Sequence, residues 1–332
     1  MIVTKAPSKI ILFGEHAVVY DKLGIVATTD KSTHMKVEEY GDGLTSAYGT
    51  EVFSRTKEDV SEFYERFSKF YEEKNFDEIK KMSFNDALSV VYSKLIEKFG
   101  YKGVMITTVH DRSLKGMGGS ASTFAAFVLG YAKLLGKQIS TKEIADISFI
   151  GDVVAHAGIP SGIDTSAVTY GGYLTYRKSE GMKKIDIDFE IPILIVDSGE
   201  PAKTSETVSY VRKLRGDDVK FVDAVFEKLD NISRDALSAL KSKDIAEFGR
   251  LMYEYYSELK KLNISTDRLD AIIAIARSSG ALGAKPTGGW GGGNCIVLAK
   301  DAEHINELIK IYNENGYSAF STELGVEGVH LE

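Results

Sequence analysis

The chain has 332 residues, 43% of them hydrophobic and 27% charged, which is enough for a real core and suits two ordinary domains. A net charge of -7 argues against nucleic acid as the main partner, and a single cysteine, Cys295, leaves no internal disulfide and no cysteine cluster for a metal. The first residues lack the basic-then-apolar run of a signal peptide and no segment is apolar for long enough to span a bilayer, so a cytoplasmic location is expected.

Residues 9–13 form a short β-rich run ending at Gly14, followed by Glu15 and His16, and β-like segments lie near 24–30 and 33–39. Residues 55–82 are dense in Glu and Lys, with Phe63, Phe67, Phe70 and Tyr71 at helical spacing. That spacing predicts an amphipathic helix with a solvated face; a lid or a wall beside a nucleotide base is the sharper alternative. A helix is predicted over 85–99, stopped by Gly100.

A strand over 104–109 leads into residues 114–123, where Gly116, Gly118 and Gly119 run into Ser120 and an apolar helix over 124–135. Strand, glycine turn and helix start place bare N–H groups and a partial positive charge where a phosphate could bind. The stretch matches neither of the common phosphate motifs, so a plain tight turn remains open. Ser140 and Glu143 fit a capping box that opens the next helix, and a loop over 158–164 carries Asp164 on a turn. The polar stretch 177–184 is the expected boundary between an N-terminal domain (1–178) and a C-terminal domain (185–332). A strand over 191–197 follows, then helices near 202–213, 217–229, 232–241, 243–262 and 266–279. Residues 281–293 are a second glycine-rich loop, followed by a strand over 295–298, a helix near 302–315 and a strand near 318–322.

Unusual residues concentrate in four stretches, 6–20, 114–123, 160–165 and 285–295. Phosphoryl transfer needs positive charge and donors on the phosphates, a metal, and an acceptor held in line. Two glycine loops, Lys9, the Glu15-His16 pair and Asp164 supply those parts; each alone has a dull reading as surface lysine, polar turn or turn-former.

Taken together the four stretches resemble the GHMP kinases. Residues 6–20, Ala-Pro-Ser-Lys-Ile-Ile-Leu-Phe-Gly-Glu-His-Ala-Val-Val-Tyr, resemble the opening motif of the mevalonate kinase branch. Residues 114–122 resemble the ATP phosphate loop, 160–165 the Pro-Ser-Gly-Ile-Asp element, and 283–293 the third glycine motif, in family order and spacing. The resemblance implies a two-domain α/β (α+β) kinase, its N-terminal half like ribosomal protein S5 domain 2 and its C-terminal half ferredoxin-like, with ATP between them. It implies ATP and Mg2+, and phosphorylation of the 5-hydroxyl of mevalonate in isoprenoid synthesis. Asp164 would orient or deprotonate the acceptor hydroxyl and Lys9 would stabilise developing charge. Glu15, His16 and Thr204 would line the acceptor pocket. Lys115, Gly116, Met117, Gly118, Gly119, Ser120, Ala121 and Ser122 would hold ATP, and Thr287, Gly288, Gly289 and Gly291 form the third motif. Ser120 would help hold Mg2+.

The sequence also departs from the family pattern. Direct counting puts Val153 on the family's metal-binding glutamate, whereas a one-residue insertion around Ala157 brings Asp152 there and His156 onto a family histidine. The second alignment is preferred, because Mg2+ needs a hard oxygen ligand. Lys115 either adds charge for ATP or meets a phosphate already on the substrate, as a sister kinase of phosphorylated mevalonates would require. Trp290 either stacks in or narrows the pocket, or fills space. A decarboxylase of the same fold and a non-catalytic ligand sensor are the remaining readings. The expected partner is a small-molecule substrate, with no nucleic acid and no membrane; a homodimer is compatible with the sequence, which gives no handle on oligomeric state.

Overall fold

The computed structural model describes residues 1–111, 116–156, 158 and 160–332. The first half supplies seven strands of an eight-stranded sheet. Strand β1 (Ile2–Phe13) pairs antiparallel with the long β2 (Gly24–Glu39), the intervening residues including a 3-10 turn at Ala17–Tyr20. The two segments expected near 24–30 and 33–39 are therefore one strand. It spans two neighbourhoods because its second half pairs with β5 and its first with β6. The hairpin β3 (Leu44–Tyr48) and β4 (Glu51–Arg55) was not legible: β3 is largely buried and β4 largely exposed, and both mix polar and apolar residues without clean alternation.

Helices α1 (Lys57–Glu72), α2 (Phe76–Ile79) and α3 (Phe84–Phe99) then lead to β5 (Val104–His110), which lies parallel to β3. Capping boxes at Thr56/Asp59 and Ser83/Asp86 open α1 and α3. Helix α4 (Gly119–Leu134) is buried on almost every side, packing on β1 and β2 beneath α3 and α5 (Thr141–Ala155), so it is apolar all round. The capping box expected at Ser140 and Glu143 opens α5.

The loop expected to end in a turn-borne Asp164 instead becomes helix α6 (Ile163–Tyr170). Gly162, at φ 78, turns the chain into it and Ser161 Oγ accepts the Ile163 N–H. Asp164 thus sits in a helical first turn, where a carboxylate is favoured by the free N–H groups. Residues 177–184, expected as a linker, belong to the hairpin of β6 (Tyr173–Arg177) and β7 (Gly181–Ile185), which extends the same sheet.

The second half runs β8 (Ile193–Asp197), α7 (Thr204–Asp217), α8 (Val219–Lys241), α9 (Ile245–Lys260), α10 (Asp267–Ser278), β9 (Gly283–Pro286), β10 (Asn294–Leu298), α11 (Ala302–Glu314) and β11 (Ser318–Thr322). The two helices expected over 217–229 and 232–241 are a single one. No glycine or proline interrupts it, and Arg234 bonds back to Asp230 across the expected break. The four strands order as β11-β8-β10-β9, all antiparallel, with the helices between them: the ferredoxin-like arrangement. A last strand, β12 (His330–Leu331), returns to pair with β1. Among the described residues no helix is long and apolar enough to cross a membrane.

Strand β1 joins the halves. Ala6 packs in the N-terminal core, whereas Ile10, Leu12 and Phe13 belong to the core of the second half. The register shifts between Pro7 and Ser8, an irregularity that re-aims the strand just before Lys9.

Candidate active site

Lys9 leaves β1 and meets Asp164 from the first turn of α6, Nζ to Oδ1 at 2.9 Å; the two side chains are 4% and 19% exposed. Burial pushes the Asp164 carboxyl upward, but the Lys9 ammonium and then His156 pull harder, so it lies below its ordinary value and is ionised at neutral pH. The result is an ionised carboxylate beside a fixed cation, open on one side.

The Lys9 backbone N–H bonds the Met117 carbonyl at 2.8 Å, tying β1 to the first glycine loop. Gly118, at φ 79, precedes α4; a Cβ there would lie 3.0 Å from Lys9 Cε, so glycine lets the lysine pass over the loop. In α4 the first i→i−4 bond is Ser122 N–H to Gly118. The N–H groups of Gly119, Ser120 and Ala121 therefore have no partner within the helix and suit an anion. Gly119 and Ser120 are half-buried, within reach of a ligand, whereas Met117 and Ala121 are buried. Ser122 is buried too: its hydroxyl donates to Pro7 at 2.6 Å and Gly118 at 3.1 Å, which holds the loop to β1. Lys115 lies outside the described residues, as does Ala157, where the insertion was placed.

Asp152 is buried in α5. His156, one turn on, places Nδ1 3.1 Å from its Oδ1, and that oxygen has no hydrogen bond of good geometry among the described residues. Burial pushes the Asp152 carboxyl up despite His156, with the Asp164 charge adding to the push. Burial would lower the His156 imidazole, but the Asp152 charge overrides it and raises the ring to about 9. No group of three or more His, Cys, Asp or Glu side chains among the described residues forms a metal cage. Magnesium brought in on a nucleotide needs no such cage, since phosphates and water supply most ligands. An orphaned buried carboxylate oxygen and a helix-terminal serine fit that requirement.

Glu15 and His16 are both buried, and both are held by the second half. Glu15 pairs with Lys285 of β9, while its other oxygen, Oε2, has no hydrogen-bond partner among the described residues. His16 Nε2 meets the Gly289 carbonyl at 3.0 Å, and burial lowers the ring to about 4. Thr204 opens α7 and sits against Gly289, where a Cβ would collide with it. Thr207, one turn on, donates to the Gly289 carbonyl at 2.6 Å. Gly288 approaches the Gly116 carbonyl, so the two glycine loops face each other; Gly291 donates its N–H to Ile264. Thr287 is buried and bonds Ile11. Trp290 is fully buried and stacks on Tyr256 at 5.9 Å, so it fills the core. A cleft of about 440 Å3 behind the third loop is lined by Lys203, Thr207, Tyr210 and Gly291, and by neither Lys9 nor Asp164.

Lys285 and Thr207 were missed from the sequence. Their signals were present: a lysine inside the second glycine-rich stretch, and a threonine one helical turn beyond Thr204.

The GHMP kinases N terminal domain model matches residues 86–172, and the GHMP kinases C terminal model matches residues 236–318. A mevalonate kinase of Pyrococcus furiosus is 30% identical over 341 residues, covering 100% of this chain and 98% of that protein. One of Aeropyrum pernix is 28% identical, covering 98% and 97%. The crystal structure of the Methanococcus jannaschii mevalonate kinase superposes with a TM-score of 0.79 at 26% identity, covering 97% of this chain and 98% of that one.

Proposed function

The chain belongs to the GHMP kinase family, whose members use ATP, and from that premise we propose that it transfers the terminal phosphoryl group of ATP to the 5-hydroxyl of mevalonate. The observation that carries the reading is the Lys9–Asp164 pair facing the open N-terminus of α4. Full-length similarity to mevalonate kinases supports the acceptor.

In this reading the N–H groups of Gly119, Ser120 and Ala121 take the nucleotide phosphates at the positive end of α4. Asp164, kept ionised by Lys9, accepts a hydrogen bond from the acceptor hydroxyl and takes its proton as the new oxygen–phosphorus bond forms. Lys9 stabilises the negative charge that develops on the attacking oxygen. Asp152 and Ser120 would hold Mg2+, which when bound would neutralise phosphate charge. Glu15, His16 and Thr204 would shape the acceptor side. Gly288, Gly289 and Gly291 would close the site against the phosphate loop.

The direct check is to incubate the protein with Mg2+, ATP and mevalonate and locate the product phosphorus by NMR. A phosphorus coupled to the C5 methylene protons supports the proposal. ATP consumption with phosphate on another oxygen, or none on mevalonate, refutes it.

A further inference from the structure

The Lys285 and Glu15 side chains are each 0% exposed and form an ion pair that joins β9 to the end of β1. A buried ammonium needs further partners. Lys285 also donates to the Pro286 carbonyl at 2.9 Å and lies 5.3 Å from the centre of the Tyr255 ring and 5.8 Å from that of Phe13. Tyr255 in turn brackets the same stretch: its hydroxyl accepts the Gly14 N–H and donates to the Glu15 carbonyl, each at 3.1 Å. Beyond it, the Gly289 carbonyl takes His16 Nε2. Residues 13–16 are thus gripped from the second half of the chain by Lys285, Tyr255 and the third glycine loop.

The gripped backbone is one that would relax if released. His16 has φ 60, a region that a residue with a side chain occupies only when its surroundings hold it there. A buried ion pair is also a poor way to gain stability, since apolar side chains of similar volume do as well. What an ion pair adds is direction.

We infer that Lys285 is a positioning residue for the acceptor side of the site, its pair with Glu15 holding the His16 turn against the third glycine loop. It acts through Glu15, and the inference rests on the reading of residues 15 and 16 as part of the acceptor wall. Lys285→Met removes the donor. Lys285→Gln keeps an N–H for Glu15. The double variant Glu15→Leu with Lys285→Met removes the orphan carboxylate as well, which guards against a single variant that fails to fold.

The test pairs nitrogen-15 NMR titration of the histidines with steady-state kinetics. In the unaltered protein the His16 ring stays neutral down to about pH 4. In Lys285→Met and in the double variant it is expected to titrate nearer its ordinary 6.5. KM for mevalonate should rise at least about tenfold while KM for ATP stays within about twofold. Lys285→Gln should recover most of both effects. A folded Lys285→Met or double variant with unchanged His16 titration and unchanged mevalonate KM would overturn the inference. If the unaltered protein turns over no mevalonate yet His16 is freed in the variants, the positioning role stands and the acceptor assignment falls.

Discussion

The Thr287 hydroxyl accepts the Ile11 N–H at 3.0 Å and donates to the Ile11 carbonyl at 2.9 Å, so a side chain of the second half completes the backbone pairing of β1. Lys9 lies on the same strand, two residues back. The fold is therefore joined at the strand that carries Lys9. Thr287→Val keeps the shape but leaves both Ile11 groups buried without partners, which costs about 3 kcal/mol at roughly 1–3 kcal/mol per group. Urea unfolding should show that loss, and Thr287→Ser should show less than about 1 kcal/mol. A fully stable Thr287→Val would mean that the strand pairs without the threonine.

Asp164→Asn keeps size and packing but removes the proposed base. The expected loss is about 10²–10⁴ in kcat, with ATP affinity by calorimetry within about threefold. Loss of nucleotide binding in step with turnover would instead make Asp164 part of the ATP site.

His16 makes stability depend on pH. Its folded value of about 4 lies below its ordinary 6.5, so the unfolded chain binds the extra proton first. Its contribution is complete above the unfolded value and is lost as pH falls toward the folded one. The full span, 6.5 to about 4, corresponds to roughly 3 kcal/mol. His16→Gln should flatten the fall in urea stability across that window relative to the unaltered protein. Equal slopes in the two proteins would show that the ring is not held neutral.

Gly118→Ala combines two penalties. The left-handed backbone costs roughly 1–2 kcal/mol for a residue with a Cβ. The new carbon also meets Lys9 Cε at 3.0 Å. Both KM for ATP and kcat should suffer, the first by about tenfold if 1.4 kcal/mol reaches the phosphate site. Gly136→Ala is the control, since it has φ 65 with nothing within 4 Å and carries only the strain. Equal kinetics for the two variants would show that Gly118 is not needed for the passage of Lys9.

Elements with strong periodicity, caps or apolar runs were legible in the sequence: α3, α5, the glycine turn before α4, and the buried apolar strands β8 and β10. The β3–β4 hairpin was not, because its short strands mix polar and apolar residues without clean alternation. Nor was α6, because its start depends on a left-handed Gly162 and not on a capping side chain. Within the site, spacing marked Lys9 and Asp164 but could not bring them to 2.9 Å. Ser122 and Thr287 lie in glycine motifs, yet their hydroxyls are taken up by backbone groups of β1, which only tertiary contact reveals. Lys285 escaped because its stretch reads as a glycine-rich loop, where a lysine passes for exposed unless its buried partner, 270 positions away, is known.

The central claim is that this site phosphorylates free mevalonate. ADP release with Mg2+ and ATP, measured in a coupled assay on mevalonate, its 3- and 5-phosphates, galactose and homoserine, tests it most directly. The account predicts a kcat/KM for mevalonate that exceeds every other acceptor by at least about a hundredfold. Turnover confined to a phosphorylated mevalonate, or to a sugar or amino acid, would contradict it.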